Sequence, residues 1–217
     1  MMDKNINAIY QKLIAHHGNL MWWPAKTPYE VIVGAVLTQN TAWSNVEKAI
    51  ANFGDALTPE FVRDIDTETL IDIIRPAGFF NQKSVYLKAV TKWYEKYNFD
   101  NAAISREPLH KLRKELLMVK GVGKETADSI LLYAFNLPTF VIDAYTVRLC
   151  KRFTVDIATD YDTLKAHFEA NLPICQETYN NYHALIVING KDHCRKTRPK
   201  CNSCPLDGIC KKVQEKE

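Results

Sequence analysis

Residues 116–135 read LLMVKGVGKETADSILLYAF, two apolar-periodic stretches joined by Gly121-Val122-Gly123, with Lys120 and Lys124 on either side. Residues 108–119 and 126–135 each return apolar side chains to one face every three or four positions, so the segment predicts helix, tight turn, helix. Glycines let such a turn take unusual backbone angles. They also expose amide N–H groups just ahead of a helix N-terminus, where the dipole favours a phosphate. Taken alone, the turn is equally an ordinary helix–helix connection. Beyond it, residues 141–148 read VIDAYTVR, where Asp143 is either a helix cap or a functional carboxylate.

Working outward, residues 4–16, 28–38, 43–53, 84–96 and 178–189 carry the same helical spacing. Pro24, Pro28, Gly54, Pro59, Pro76, Gly78, Pro138 and Pro173 punctuate them. No alternating run is long enough for a sheet, and Val141-Ile142, bracketed by Pro138 and Asp143, reads as a short extended link. The prediction is an all-α protein of about ten short helices without solenoid repeats.

At 217 residues with 47% hydrophobic and 24% charged side chains, the composition is that of a globular chain and excludes disorder. The apolar run Val31–Leu37 is far below the ~20 residues that span a bilayer. Residues 1–20 alternate charged and apolar side chains, unlike a signal peptide. The expected location is cytoplasmic, associated with the nucleoid if the source is bacterial, with no membrane partner.

Net charge is +3, and residues 191–217 alone carry +4, from Lys191, Arg195, Lys196, Arg198, Lys200, Lys211, Lys212 and Lys216 against Asp192, Asp207, Glu215 and Glu217. A second basic concentration comprises Lys111, Arg113, Lys114, Lys120 and Lys124, offset by Glu115. Two basic patches on a near-neutral body suit a polyanion bound at defined places, although solvated helix faces would look the same.

Four of the six cysteines, Cys194, Cys201, Cys204 and Cys210, follow the spacing C-x6-C-x2-C-x5-C. Such a set could serve zinc, an iron–sulfur cluster or two disulfides. Disulfides are disfavoured without a secretory signal. Zinc ligands usually come as two close couples, whereas here the outer cysteines stand apart from the central pair; that spacing favours a cubane with one thiolate per iron. Cys150 and Cys175 lie in apolar helical surroundings and read as small hydrophobes.

Together, Gly121-Val122-Gly123, Asp143 at its offset and the C-terminal cysteine array resemble the endonuclease III-like superfamily of helix-hairpin-helix DNA glycosylases. The likeness runs from about Trp22 to Cys210. It implies two α-helical lobes flanking a cleft that receives a flipped nucleotide. A six-helix barrel with the hairpin would take residues 21–136, and residues 1–20 with 137–217 would form the lobe carrying a 4Fe-4S cluster on loop 194–210, held by Cys194, Cys201, Cys204 and Cys210. The implied partner is double-stranded DNA containing a damaged base, bound by a monomer. Lys120, Gly121, Val122, Gly123 and Lys124 would contact its backbone, and loop 195–200 would meet further phosphates.

One departure matters for the chemistry. Strand-cutting members carry a lysine two residues after the second hairpin glycine, where this chain has Glu125. A carboxylate cannot form an imine, and Lys124 is turned by ~100° along the helix. Glu125 also suits the first turn of a helix on dipole grounds alone. The expectation is a monofunctional glycosylase of base excision repair, with AP lyase activity weak or absent and Asp143 stabilising positive charge at the sugar or orienting water. A carboxylate suffices if the leaving group is already good, as it is in a base alkylated at N3 or N7.

Trp22-Trp23-Pro24, the segment Thr38-Gln39-Asn40-Thr41-Ala42-Trp43 and Glu125 resemble the 3-methyladenine DNA glycosylase branch, in which aromatic residues sandwich the methylated base. Cation–π attraction would then discriminate a cationic purine from its neutral parent, although the indoles could equally be core packing. Gln39 and Asn40 align with the wedge that fills the gap left by the flipped nucleotide, Asn40 standing where many relatives have glutamine. Two other readings stay open: an endonuclease III-type glycosylase for oxidised or mismatched pyrimidines, with or without lyase activity from Lys120 or Lys124, and a DNA-binding protein without catalysis.

Overall fold

A computed structural model describes residues 4–20, 22–153 and 158–210. It is all-α, with no strand among the described residues. The helices are α1 Lys4–His17, α2 Pro28–Leu37, α3 Trp43–Phe53, α4 Pro59–Asp64, α5 Thr67–Ile74, α6 Phe80–Glu95, α7 Asn101–Ser105, α8 Leu109–Leu117, α9 Lys124–Ser129, α10 Ala144–Arg152, α11 Tyr161–Asn171 and α12 Gln176–Asp192. α9 runs on into a π-helical turn at Ile130–Ala134. Met21, where the barrel was expected to begin, and the charged tail residues Lys211, Lys212, Glu215, Lys216 and Glu217 lie outside the described residues.

The chain forms two compact units: Trp23–Leu137, and Met1–Trp22 with Pro138–Glu217. In the first, α2 is the central helix. Thr27 caps it by accepting from the Glu30 amide, Pro28 opens it, and Tyr29 and all of residues 31–37 are buried. An apolar run buried all round is a core helix. No helix among the described residues is long and apolar enough to cross a membrane.

Lys83 is only 2% exposed, and its Nζ donates to the carbonyls of Leu37, ending α2, and Ala77, ending the turn before α6, both at 2.8 Å. Those carbonyls have no intrahelical partner, so the ammonium does the work of a cap at two chain ends. Burial pushes the Lys83 pKa down to about 8.

α8 and α9 are locked by a two-pronged ion pair. Arg113 Nε and Nη2 donate to Asp128 Oδ1 and Oδ2 at 2.9 and 3.0 Å, with Asp128 fully buried. This corrects the expected basic patch: Arg113 is committed to Asp128, and Lys111 to Glu107 at 2.8 Å. Lys114, Lys120 and Lys124 are exposed. Between the two helices Gly121 has φ +86, and a Cβ there would lie 2.1–2.5 Å from ring atoms of Tyr86 on α6. The turn therefore needs glycine twice, for its backbone angle and for the ring against it.

In the other unit α1 packs on α12 through buried Ile6, Ile9 and Leu13, and the Tyr182 hydroxyl donates to the Ile6 carbonyl at 2.7 Å. Phe140 stacks on Phe168 at 4.4 Å and meets Tyr179 and Tyr182 edge-on. Phe140 belongs to the extended link 138–142, which is anchored by its aromatic side chain rather than by a ladder.

Gly121→Ala combines left-handed strain with overpacking and is expected to cost about 2–4 kcal/mol by urea unfolding. Adding Tyr86→Ala should recover the packing share, a coupling that a double-mutant cycle reads directly. Because the folded-state pKa of Lys83 is depressed, its destabilising charge burial is fully present below pH 8 and is relieved as pH rises toward the ordinary lysine value. The stability of wild type relative to Lys83→Met should therefore increase between pH 8 and 10.

Candidate functional site

The hairpin and its surroundings belong to the unit of residues 23–137. Val122 is buried and anchors the turn, while Lys120, Gly123, Lys124 and Glu125 are exposed and Gly121 is half-buried. The Gly123 carbonyl accepts from the Ala127 amide at 2.9 Å, so Gly123 acts as the cap of α9 and places Lys124 and Glu125 in its first turn. Gln39 reaches this hairpin: its Nε2 donates to the Gly121 carbonyl at 3.0 Å and to Thr126 Oγ1 at 2.9 Å. Asn40 is exposed in the left-handed region at φ 52. Of the two adjacent amides, one braces the turn and the other projects from it.

Phe79, unremarked in the sequence, shares two of these properties. It is 62% exposed, and it sits at φ 46 immediately ahead of α6. Asn40 and Phe79 each follow, within three residues, one of the two carbonyls held by Lys83. A buried cation thus fixes the roots of two projecting turns, and no sequence pattern pairs them.

Trp23 lies against α2 at Gly34, where a Cβ would come within 3.3 Å of the indole. It meets Trp43 edge-on at 5.3 Å and Tyr133, from the π-helical turn, at 5.1 Å. Trp43 Nε1 donates to Glu47 Oε1 at 3.0 Å, and Pro24 is exposed. Trp23 and Trp43 thus pack together within the unit of residues 23–137. Trp22 belongs to the other unit, where the Lys191 ammonium stands 5.5 Å from its ring centre. Its face engages a cation, the property that cation–π recognition requires.

Asp143 caps α10. Its Oδ1 accepts from the Thr146 amide at 2.7 Å and from Thr146 Oγ1 at 2.9 Å. Oδ2 lies 3.5 Å from His183 Nε2 on α12, and the two side chains are 11% and 7% exposed. Burial pushes the Asp143 carboxyl up, but the neighbouring His183 and the Thr146 donors outweigh it and hold the group below the usual carboxylate range. A carboxylate held in its ionised form can face a developing cation and is ill suited to donate a proton. His183 escaped the sequence reading because it lies in an apolar run, Ala184-Leu185-Ile186-Val187, where a histidine normally reads as core.

The far end of α10 meets the cysteine loop. Arg152 Nη1 donates to Cys194 Sγ at 3.1 Å, and Arg148 Nε donates to the Cys194 carbonyl at 2.8 Å. No cysteine is paired in a disulfide. Burial pushes the Cys204 thiol up, as do the charges of Cys194, Cys210 and Cys201. Four thiols close enough to repel on ionisation, beside a guanidinium, are chemically suited to a cationic metal core. Among the described residues, however, no set of three or more His, Cys, Asp or Glu already stands in metal-holding geometry. Arg195, Lys196, Arg198 and Lys200 of the intervening loop are exposed.

Residues 33–173 match the HhH-GPD superfamily of base excision DNA repair proteins, and the chain belongs to that family. It is 48% identical over 210 residues to a Methanocaldococcus jannaschii protein assigned by name only as a DNA repair glycosylase, covering 94% of this chain and 95% of the relative. It is 28% identical to endonuclease III of Sulfolobus acidocaldarius over 84% of this chain and 81% of the relative. Among solved structures, the 3-methyladenine DNA glycosylase of H. pylori bound to 1,N6-ethenoadenine superposes with a TM-score of 0.74 and 28% identity, over 87% of this chain and 96% of that one. An endonuclease III–DNA complex superposes at TM-score 0.80 with 23% identity over 98% and 97%, a likeness of fold.

Proposed function

We propose that the protein is a monofunctional DNA glycosylase that hydrolyses the N-glycosidic bond of alkylated purines such as 3-methyladenine. The observation that carries this reading is Glu125 at the position where strand-cutting relatives keep an amine, in a chain that also holds Asp143 as a carboxylate between Thr146 and His183. Water is then the attacking group. As the bond breaks, its electron pair leaves with the base, cancelling the positive charge that alkylation placed there. Asp143 faces the positive charge left on the sugar, and the attacking water passes its proton to surrounding solvent as the C1′–O bond forms.

The hairpin amides with Lys120 and Lys124 hold a phosphate, and loop 195–200 adds further charge. Asn40 is the polar wedge, since Gln39 is occupied by the hairpin, and Phe79 supplies an exposed apolar surface for an unstacked base. Electron-rich indole faces of the kind that favour a cationic purine over its neutral parent are carried by Trp22 and, in the other unit, by Trp23 and Trp43. Double-stranded DNA with a damaged base is the partner.

Cys194, Cys201, Cys204 and Cys210 would hold a 4Fe-4S cluster whose part is structural, pinning the basic loop. Arg152 at Cys194 and Asn189 at Cys204 support the outer and central ligands. Purified protein should absorb at about 400 nm and contain about four irons per chain. Cys204→Ser should lose both, and zinc as the sole metal would contradict the assignment.

Duplex DNA containing 3-methyladenine should release the base without strand cleavage until alkali is added. Asp143→Asn should slow release by about 10²-fold or more while duplex binding persists. A borohydride-trapped adduct through Lys120 or Lys124, or release of thymine glycol in place of methylated purines, would support the endonuclease III-type reading instead.

A further inference from the structure

We infer that His183 is a positioning residue for Asp143, turning the carboxylate so that Oδ2 is presented while Oδ1 stays on the helix cap. This role matters for the reaction only if Asp143 meets the charge at the sugar, as proposed above.

The two oxygens of Asp143 have different surroundings. Oδ1 takes both Thr146 donors, at 2.7 and 2.9 Å, and is thereby committed to α10. Oδ2 points toward α12, where His183 Nε2 lies 3.5 Å away. Both side chains are largely withdrawn from water, and a buried carboxylate without a compensating partner is unfavourable. A separation of 3.5 Å is long for a hydrogen bond. Active-site contacts are often loose before substrate binds and tighten in the reactive complex.

The neighbours of His183 on α12 are otherwise engaged. The Tyr182 hydroxyl donates to the Ile6 carbonyl at 2.7 Å, Asn181 Oδ1 accepts from the Leu20 amide at 2.8 Å, and residues 184–187 are apolar and buried. On α10 the guanidinium of Arg148 turns to the Cys194 and Gly190 carbonyls. His183 is thus the titratable group that α12 directs at Asp143, and α10 contributes the neutral Thr146 donors. The depressed carboxyl pKa agrees with that arrangement.

Reach separates positioning from mere packing. His183→Gln and His183→Asn both bury a neutral amide in the same place, but the glutamine nitrogen extends to about where Nε2 stands and the asparagine nitrogen falls short. Single-turnover release of 3-methyladenine from duplex DNA should fall roughly 30- to 100-fold in His183→Asn. His183→Gln should stay within about fivefold of wild type, and both should bind a duplex carrying an abasic-site analogue within about threefold of wild type. A carbon-detected titration of the Asp143 carboxyl should show its midpoint moving upward in His183→Asn. Equal rates for wild type and His183→Asn would overturn the assignment. So would losses of rate and duplex affinity in parallel with no recovery by glutamine, or an unmoved carboxyl midpoint. If wild-type protein releases no methylated purine, the proposed function fails, and the carboxyl titration still decides whether His183 governs Asp143.

Discussion

Asp143 binds two requirements into one side chain. A helix N-terminus presents unsatisfied amides, and a carboxylate that satisfies them is held ionised in a fixed direction. Here Thr146 occupies one oxygen and His183 faces the other, so the capping that starts α10 also fixes the direction of the carboxylate. The same nine-residue helix ends at Arg152, which grips Cys194. Displacing α10 would disturb the carboxylate and the cysteine loop together, because one rigid element carries both.

The unit of residues 23–137 solves a different problem, presenting backbone amides and projecting turns from a packed core. Its devices are buried charges given local partners: Asp128 by Arg113, and the Lys83 ammonium by two carbonyls. Such groups are costly to bury and gain little net stability over apolar packing. They do fix angles, and here the fixed angles belong to α8 against α9 and to the turns that end in Asn40 and Phe79. Gly121 makes the same trade in backbone form, accepting a left-handed angle so that Tyr86 can pack on the turn.

Much of the fold was legible in advance where a helix is long and one-sided. Residues 43–53 were placed at their observed bounds, and α1, α2, α8 and α12 fell within a few residues. The shorter α4, α5 and α7 offer too few turns for a period to emerge. Helix α6 begins at Phe80, ahead of the expected 84, because Lys83 reads as polar but is buried; its partners are carbonyls that no pattern of side chains reveals. The expected helix 126–135 is α9 running into a π-helical turn, a widening that delivers Tyr133 to Trp23 and has no signature in hydrophobic spacing.

From sequence alone came the all-α class, the glycine turn, the cysteine spacing and the substitution at Glu125, since each depends on residue type and separation along the chain. Tertiary structure decided the pairings across the chain. Adjacent Trp22 and Trp23 went to different units, Gln39 was tied to the hairpin while Asn40 was left exposed, Arg113 was withdrawn from the basic face, and His183 came to rest beside an aspartate forty residues away. Spacing reports which face of an element is buried. Which polar groups then meet inside is settled by how elements pack, because each buried donor or acceptor must find its partner in three dimensions.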